Sequence, residues 1–166
     1  MGNIEKSDKY NTTREIFWAS GSCFIIRKSI FKLLNGFDED FFCHMEEIDL
    51  CWRLKNLDSS YKIITIGKAN VYHVGGGTMQ YGGNRKNYLN FRNSLVMLIK
   101  NLPKKYFIFS LFLRLICDLF ILIFSVLLFR FGLSFSILSA YYFNILNFRK
   151  SLSKRKKGCL LYTSDA

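Results

Sequence analysis

The sequence predicts an α/β globular part followed by a long apolar helical hairpin. Two observations carry that expectation. Up to Pro103, short β-branched and aromatic runs alternate with segments whose apolar residues recur every three or four positions. Beyond Pro103 the apolar content is concentrated: half of the 166 residues are hydrophobic and 17 are Phe, and they crowd into the last third of the chain.

The first run, Ile16 to Ile26, mixes aromatic, β-branched and small residues and predicts a strand pair or bent strand interrupted at Gly21. Lys28 to Asn35 predicts a first helix stopped by Gly36 in a left-handed cap. After an acidic loop, GFDEDFF, a second helix is expected from Glu46 to Asn56 with Leu50, Leu54 and Leu57 on one face. Its early acids suit the positive end of the helix dipole, and Arg53 and Lys55 suit the other end. Tyr61 to Ile66 and Ala69 to Val74 predict two short strands around Gly67, and glycines bracket a loop from Gly75 to Gly83. Asn84 to Asn101 predicts an amphipathic helix, with Tyr88, Phe91, Leu95, Leu98 and Leu102 on its apolar side and Pro103 ending it.

The apolar region follows. Phe107 to Phe129 is nearly all apolar, broken by Arg114 and Asp118 at the i, i+4 spacing of a helical ion pair, and Phe131 to Phe148 carries one charge-free run. Basic residues flank the unit on both sides, which the positive-inside rule assigns to one compartment, the cytoplasm. Both a helical hairpin and a helix pair lying in the interface meet this condition.

The net charge is +12, yet its distribution argues against nucleic acid. Six of the 24 basic residues sit in the tail after the apolar region, at Arg149, Lys150, Lys154, Arg155, Lys156 and Lys157, where an anionic membrane surface is the expected partner. Six of the twelve acids fall between Asp38 and Asp49, so the globular part is expected to carry one acidic patch. Five cysteines without paired spacing predict free thiols in a reducing cytoplasm, not a disulfide scaffold. The polar start MGNIEKSDKYNTTRE has no signal-peptide core, and Lys6 occupies the position where myristoylation needs Ser or Thr.

The chemistry is concentrated in Gly36 to Leu54, where carboxylates crowd a loop and a helix start. Such a group is either a solvated acidic surface, a cation site, or a place where one carboxylate gains enough basicity to take a proton from a hydroxyl. WASGSCFIIRKSIF, GFDEDFF, HMEEIDLCWRL, and VYHVGGGT followed by YLNFRNSLVMLIKNLP stand in the order of one known pattern. Through these pieces, Trp18 to Pro103 resembles the C-terminal half of the catalytic domain of family 2 glycosyltransferases, especially the bacterial rhamnosyltransferase-like branch.

The resemblance implies a GT-A nucleotide-diphospho-sugar transferase fold and an inverting, single-displacement mechanism. It implies that Glu47 is the base activating the acceptor hydroxyl. The family usually has Asp there, so the carboxylate is kept on a longer arm. Glu46 and Asp49 are expected to shape the acceptor site or brace the helix start. His73 matches a metal-binding position, with Glu47 and His73 facing one cleft; the implied metal is Mg or Mn. Trp18 and Gly21 belong to the matching Trp-Ala-Ser-Gly segment, Trp18 being read first as a packing residue. Arg85, Lys86 and Tyr88 are expected to meet donor phosphates as the Gly75 to Gly83 loop closes, and Arg92 to bind or buttress with Asn93.

The family's nucleotide-binding strands and Asp-x-Asp metal ligands lie upstream of the Trp-Ala-Ser-Gly segment, and no such residues precede Trp18 here. The expectation is therefore a C-terminal fragment, inactive alone: residues 1–103 part of a catalytic domain, 104–150 membrane-associated helices, 151–166 a basic tail whose end, CLLYTSDA, reads as artefactual. The expected donor is a nucleotide-diphospho-sugar, the acceptor a surface glycan or lipid-linked hydroxyl, and the location the cytoplasmic face of a bacterial inner membrane. A membrane-anchored, non-catalytic binding module is the rival reading.

Overall fold

A short antiparallel ribbon brings distant parts of the chain together: β1 (Arg14–Ile16) pairs with β2 (Ile63–Thr65), Glu15 opposite Ile64. The computed structural model describes residues 12–69, 71–73 and 83–155. Around the ribbon stand α1 (Lys28–Leu33), a 3-10 turn (Glu39–Phe41) and α2 (Glu46–Leu57). Then come α3 (Asn84–Asn101), α4 (Lys104–Leu127), α5 (Phe131–Leu146) and α6 (Phe148–Arg155).

Between Ile16 and Lys28 the chain is irregular, with a turn closed by the Cys23 amide donating to the Ser20 carbonyl. The bent strand expected from Ile16 to Ile26 is thus limited to its first residue, because Ser20, Gly21 and Ser22 favour a turn and leave β1 no partner beyond Ile63. The strand expected from Ala69 to Val74 is not seen in its described residues, and the Gly75 to Gly83 loop lies outside the described residues except Gly83. Helix α1 ends as expected from Gly36, whose φ is +66°, with Asn35 also left-handed at +58°. The Gly36 amide donates to the Phe31 carbonyl and closes the cap.

Leu34, Leu50 and Leu54 form a small core, packed by Phe24, Ile30, Phe31 and Leu57. Arg53 ties this unit together. Its guanidinium donates to the carbonyls of Leu34 and Gly36 and to Asp49, so the end of α1, the following loop and α2 share one cation.

Helix α3 starts and ends where its periodicity predicts, yet its buried residues include Leu89, Asn93, Val96, Ile99 and Lys100, besides Leu95. Tyr88, Phe91, Leu98 and Leu102 are only half-buried. The reason is that α3 is enclosed on more than one side: α2 and the acidic loop on one, α5 and α6 on another. Along α5 and α6, Ser136 Oγ donates to the Asn84 carbonyl, Asn144 Nδ2 to that of Arg92, and Arg155 to that of Ile99. These successive contacts show α3 and the α5–α6 segment running in parallel. Gly132 lies close at the first contact: a Cβ there would stand 2.4 Å from the Asn84 side chain, which would have to turn away.

Helix α4 returns antiparallel to α5. Ser125 and Ser134 share a hydrogen bond of 2.7 Å at one end, and the Tyr141 hydroxyl donates to Asp118 at the other. The ion pair expected between Arg114 and Asp118 is formed, with Nε 2.7 Å from the carboxylate.

Candidate functional site

The site is built at the start of α2, where the backbone is under strain. Phe42, His44 and Met45 all have positive φ, between +63° and +74°, a conformation that costs a non-glycine residue on the order of 1–3 kcal/mol. Two side chains of α3 hold it in place. Asn93, fully buried, donates through Nδ2 to the carbonyls of Phe41, Cys43 and His44 at 2.8–2.9 Å. Arg92 donates to the carbonyls of Asp40 and Phe41 and lies against the rings of Tyr88 and Phe143. Of the two roles expected for Arg92, this is buttressing. Tyr88 serves the same packing.

Above the first turn of α2 lies the Trp-Ala-Ser-Gly segment. Gly21 faces Glu47: a Cβ built on it would stand 3.4 Å from the carboxyl carbon and 3.6 Å from Oε1. One turn further on, the Cys51 thiol is pushed up by burial, opposed by a hydrogen bond from the Ala19 backbone. Trp18 is 44% exposed, and Phe17 is the residue that packs on Trp52, edge to face at 5.6 Å.

Three polar atoms in this small volume are enclosed without a hydrogen-bond partner among the described residues: His44 Nε2, Glu46 Oε2 and Glu47 Oε2. Buried polar atoms are normally satisfied, so each of these three calls for a partner beyond the described residues. Burial pushes the Glu46 carboxyl up; a backbone N–H at the helix start pulls it down, the neighbouring Glu47 charge adds to the rise, and His44 opposes it. Basic residues stand on the other side. Burial and Glu46 push the Cys43 thiol up, while the charges of Arg85, Arg92 and Lys86 pull it down, so these three cations and Glu46 all surround Cys43. Arg85 is exposed and stacks 5.2 Å from the Phe42 ring centroid. A shallow groove of roughly 230 Å³ runs from Met45 past Asn90, Phe91 and Ser94 to Arg114, joining the start of α2 to the apolar helix α4.

Asp49, expected beside Glu46 as a catalytic or bracing carboxylate, is the brace. It is 0% exposed and its oxygens accept from Arg53, Lys100 and Asn101, each at 2.8 Å. A carboxylate so enclosed and saturated cannot reach a substrate hydroxyl.

His73 and Glu47 share no hydrogen bond or ion pair. His73 is exposed and makes no hydrogen bond or ion pair with the described residues. Among those residues no three His, Cys, Asp or Glu side chains come together to hold a metal ion. Asp38-Glu39-Asp40 has the letters of an Asp-x-Asp, but its Asp carboxylates are already neutralised by lysines.

That neutralisation corrects the reading of the basic tail. Lys154 reaches both Asp38 and Asp40, Lys150 reaches Asp40, and Lys100 bridges Asp38 to Asp49. Arg155 is buried, donating to the Ile99 carbonyl 2.9 Å away and lying over the Phe107 ring. Two of the tail cations expected to face a membrane, Lys150 and Lys154, thus pair with the acidic patch, and Arg155 is buried against α3 and α4; Lys156 and Lys157 lie outside the described residues. Asp38 is pushed up by burial but pulled further down by Lys100 and Lys154, to about 2. Sequence reasoning missed Lys100 and Asn101 because a Lys-Asn pair before a proline reads as an ordinary helix end. Only their distance from Asp49 in the fold reveals them.

No family model matches the chain, and no solved structure matches it at a significant level. Over 60 residues it is 38% identical to the N-acetylglucosaminyl-diphospho-decaprenol L-rhamnosyltransferase of Mycobacterium tuberculosis, a match covering 36% of this chain and 19% of that protein. Over 51 residues it is 43% identical to rhamnosyltransferase WbbL of Escherichia coli K12, covering 31% of this chain and 19% of that protein. The chain thus matches about a fifth of the length of these curated relatives. Over that stretch it is similar to part of bacterial rhamnosyltransferases.

Proposed function

We propose that this chain forms the acceptor-activating part of a family 2, GT-A glycosyltransferase that moves a sugar, with inversion, from a nucleotide-diphospho-sugar to a hydroxyl of a glycan or lipid-linked acceptor. The observation that carries the reading is the Glu47 carboxylate under Gly21, flanked by the unpartnered atoms of Glu46 and His44. The acceptor hydroxyl oxygen attacks the anomeric carbon, the bond from that carbon to the nucleotide diphosphate breaks, and the hydroxyl proton passes to Glu47. Gly21, lacking a side chain, is the residue that stands over the carboxylate. Glu46 and His44 offer an acceptor and a ring nitrogen to neighbouring hydroxyls of the same sugar. Arg85, exposed at the start of α3, carries a positive charge toward the side where diphosphate would leave. Mg or Mn is the cation this class of reaction uses on the diphosphate, and no step here is assigned to it.

The relatives' names support a rhamnosyl donor and a polyprenyl-linked acceptor, and the exposed apolar helices support work at a membrane surface. The test is sugar transfer from a nucleotide-diphospho-rhamnose to a lipid-linked acceptor by membranes of cells expressing this chain joined to the nucleotide-binding half it is expected to lack. Loss of transfer in the double substitution Glu46→Gln, Glu47→Gln, with protein level unchanged, is the expected result. Unchanged transfer would return the chain to the binding-module reading.

A further inference from the structure

Helices α4 and α5 are built inside out for a protein in water. The inward seam of α4 carries Arg114, Asp118 and Ser125, and that of α5 carries Ser134, Ser136 and Asn144. Their outward faces carry large apolar side chains instead, among them Phe109, Phe112, Phe120 and Phe124 on α4 and Phe135 and Leu138 on α5, each at least half exposed. Polar seams bonded inside and bare hydrocarbon outside are the pattern of helices solvated by lipid. In water so large an apolar surface would be unstable.

The orientation follows from what lies beneath. With its 24 residues, α4 is about 36 Å long, enough to cross a hydrocarbon core of about 30 Å. Its partner α5, with 16 residues, reaches only about 24 Å. More decisively, α5 is bonded along its length to α3 through Ser136 and Asn144, and α3 holds Arg92 and Lys100 and clamps the start of α2. A hairpin standing across the bilayer would carry α3 and those charges into hydrocarbon, at a cost of several kcal/mol. The exposed cations Lys104, Lys105 and Arg130 stand at the two ends of α4, where an in-plane helix meets headgroups.

We propose that α4 and α5 lie in the plane of one leaflet of an anionic bilayer, outward faces in the hydrocarbon, with the α4–α5 turn at Arg130 on the same side of the membrane as Lys104. The inference deepens the glycosyltransferase reading, since it sets the groove from Arg114 to Met45 at the bilayer surface, where a lipid-linked acceptor would enter. Its test does not use sugar transfer, so the two can fail separately.

The conservative variant Arg130→Lys is expressed in bacteria and treated with a membrane-impermeant amine reagent, before and after lysis, and labelled peptides are identified by mass spectrometry. The expected result is loss of labelling in intact spheroplasts and recovery after lysis, for the turn and for Lys104 alike. Labelling of the turn in intact spheroplasts would show a spanning hairpin and overturn the proposal. In parallel, the unmodified chain is floated with phosphatidylglycerol vesicles. Flotation is expected; a chain that stays behind as a dimer would show that a second copy covers the face, and one that stays behind as a monomer would show that lipid does not, and either overturns the proposal.

Discussion

Asn93 Nδ2 lies 2.8 Å from the carbonyl oxygen of His44, the first of two consecutive left-handed residues that lead into α2. The same nitrogen serves Phe41 and Cys43, so one amide holds a strained loop whose relaxation would displace Glu46 and Glu47. Asn93→Ala removes the side-chain donor that joins these carbonyls, of which that of Phe41 keeps Arg92, and is expected to cost roughly 2–3 kcal/mol. Chemical denaturation checks the cost, and sugar transfer is expected to fall further than the loss of folded protein accounts for.

Gly21 tests the space above the proposed base. Gly21→Ala places its Cβ at ordinary contact distance, 3.4 Å from the Glu47 carboxyl carbon, and is expected to be tolerated. Gly21→Leu fills the space the acceptor hydroxyl needs. Stability close to that of the parent with transfer abolished is the expected outcome; full transfer by the leucine variant would remove Gly21 from the site.

Lys100 bridges Asp38 and the fully enclosed Asp49, with its own side chain 4% exposed. Lys100→Met keeps the shape and removes the charge, leaving Asp49 with Arg53 and Asn101 alone. Breaking a buried pair from one side is expected to cost about 3 kcal/mol, measurable as a lowered denaturation midpoint. The double substitution Lys100→Met, Asp49→Asn is expected to recover part of that loss.

Asp38 gives a pH dependence of known sign. Its folded-state value of about 2 lies below that of an unfolded Asp, near 4, so its contribution is complete above that unfolded value. The contribution is lost as pH falls through the folded value, because the unfolded chain binds the proton first. Thermal midpoints of the parent and of Asp38→Asn should therefore differ at neutral pH and converge between about pH 4 and 2.

Helix limits were readable wherever local signals agree. Asn84 and Pro103 bound α3, Gly36 stops α1, and the i, i+4 spacing of Arg114 and Asp118 gives their ion pair. What periodicity could not give is which faces are covered when several elements meet. Leu89 and Ile99 are buried because α5 and α6 return onto α3 some fifty residues later in the chain, a relation no local spacing encodes. The acidic loop misled for the same reason: Asp38 and Asp40 find their lysines 62 to 116 residues away. In the candidate site, Glu47 and Gly21 came from the resemblance, and the enclosure of Glu46 and His44 came from the fold.

The central claim is that Glu47, not Glu46, takes the acceptor proton. Rates of rhamnosyl transfer are compared for Glu47→Gln and Glu46→Gln in membranes of equal protein content. General base catalysis contributes about 10²–10⁴-fold, so Glu47→Gln is expected to lose at least about a hundredfold in rate, and Glu46→Gln far less. A Glu47→Gln enzyme that retains its rate, or a Glu46→Gln enzyme that loses it instead, would contradict the account.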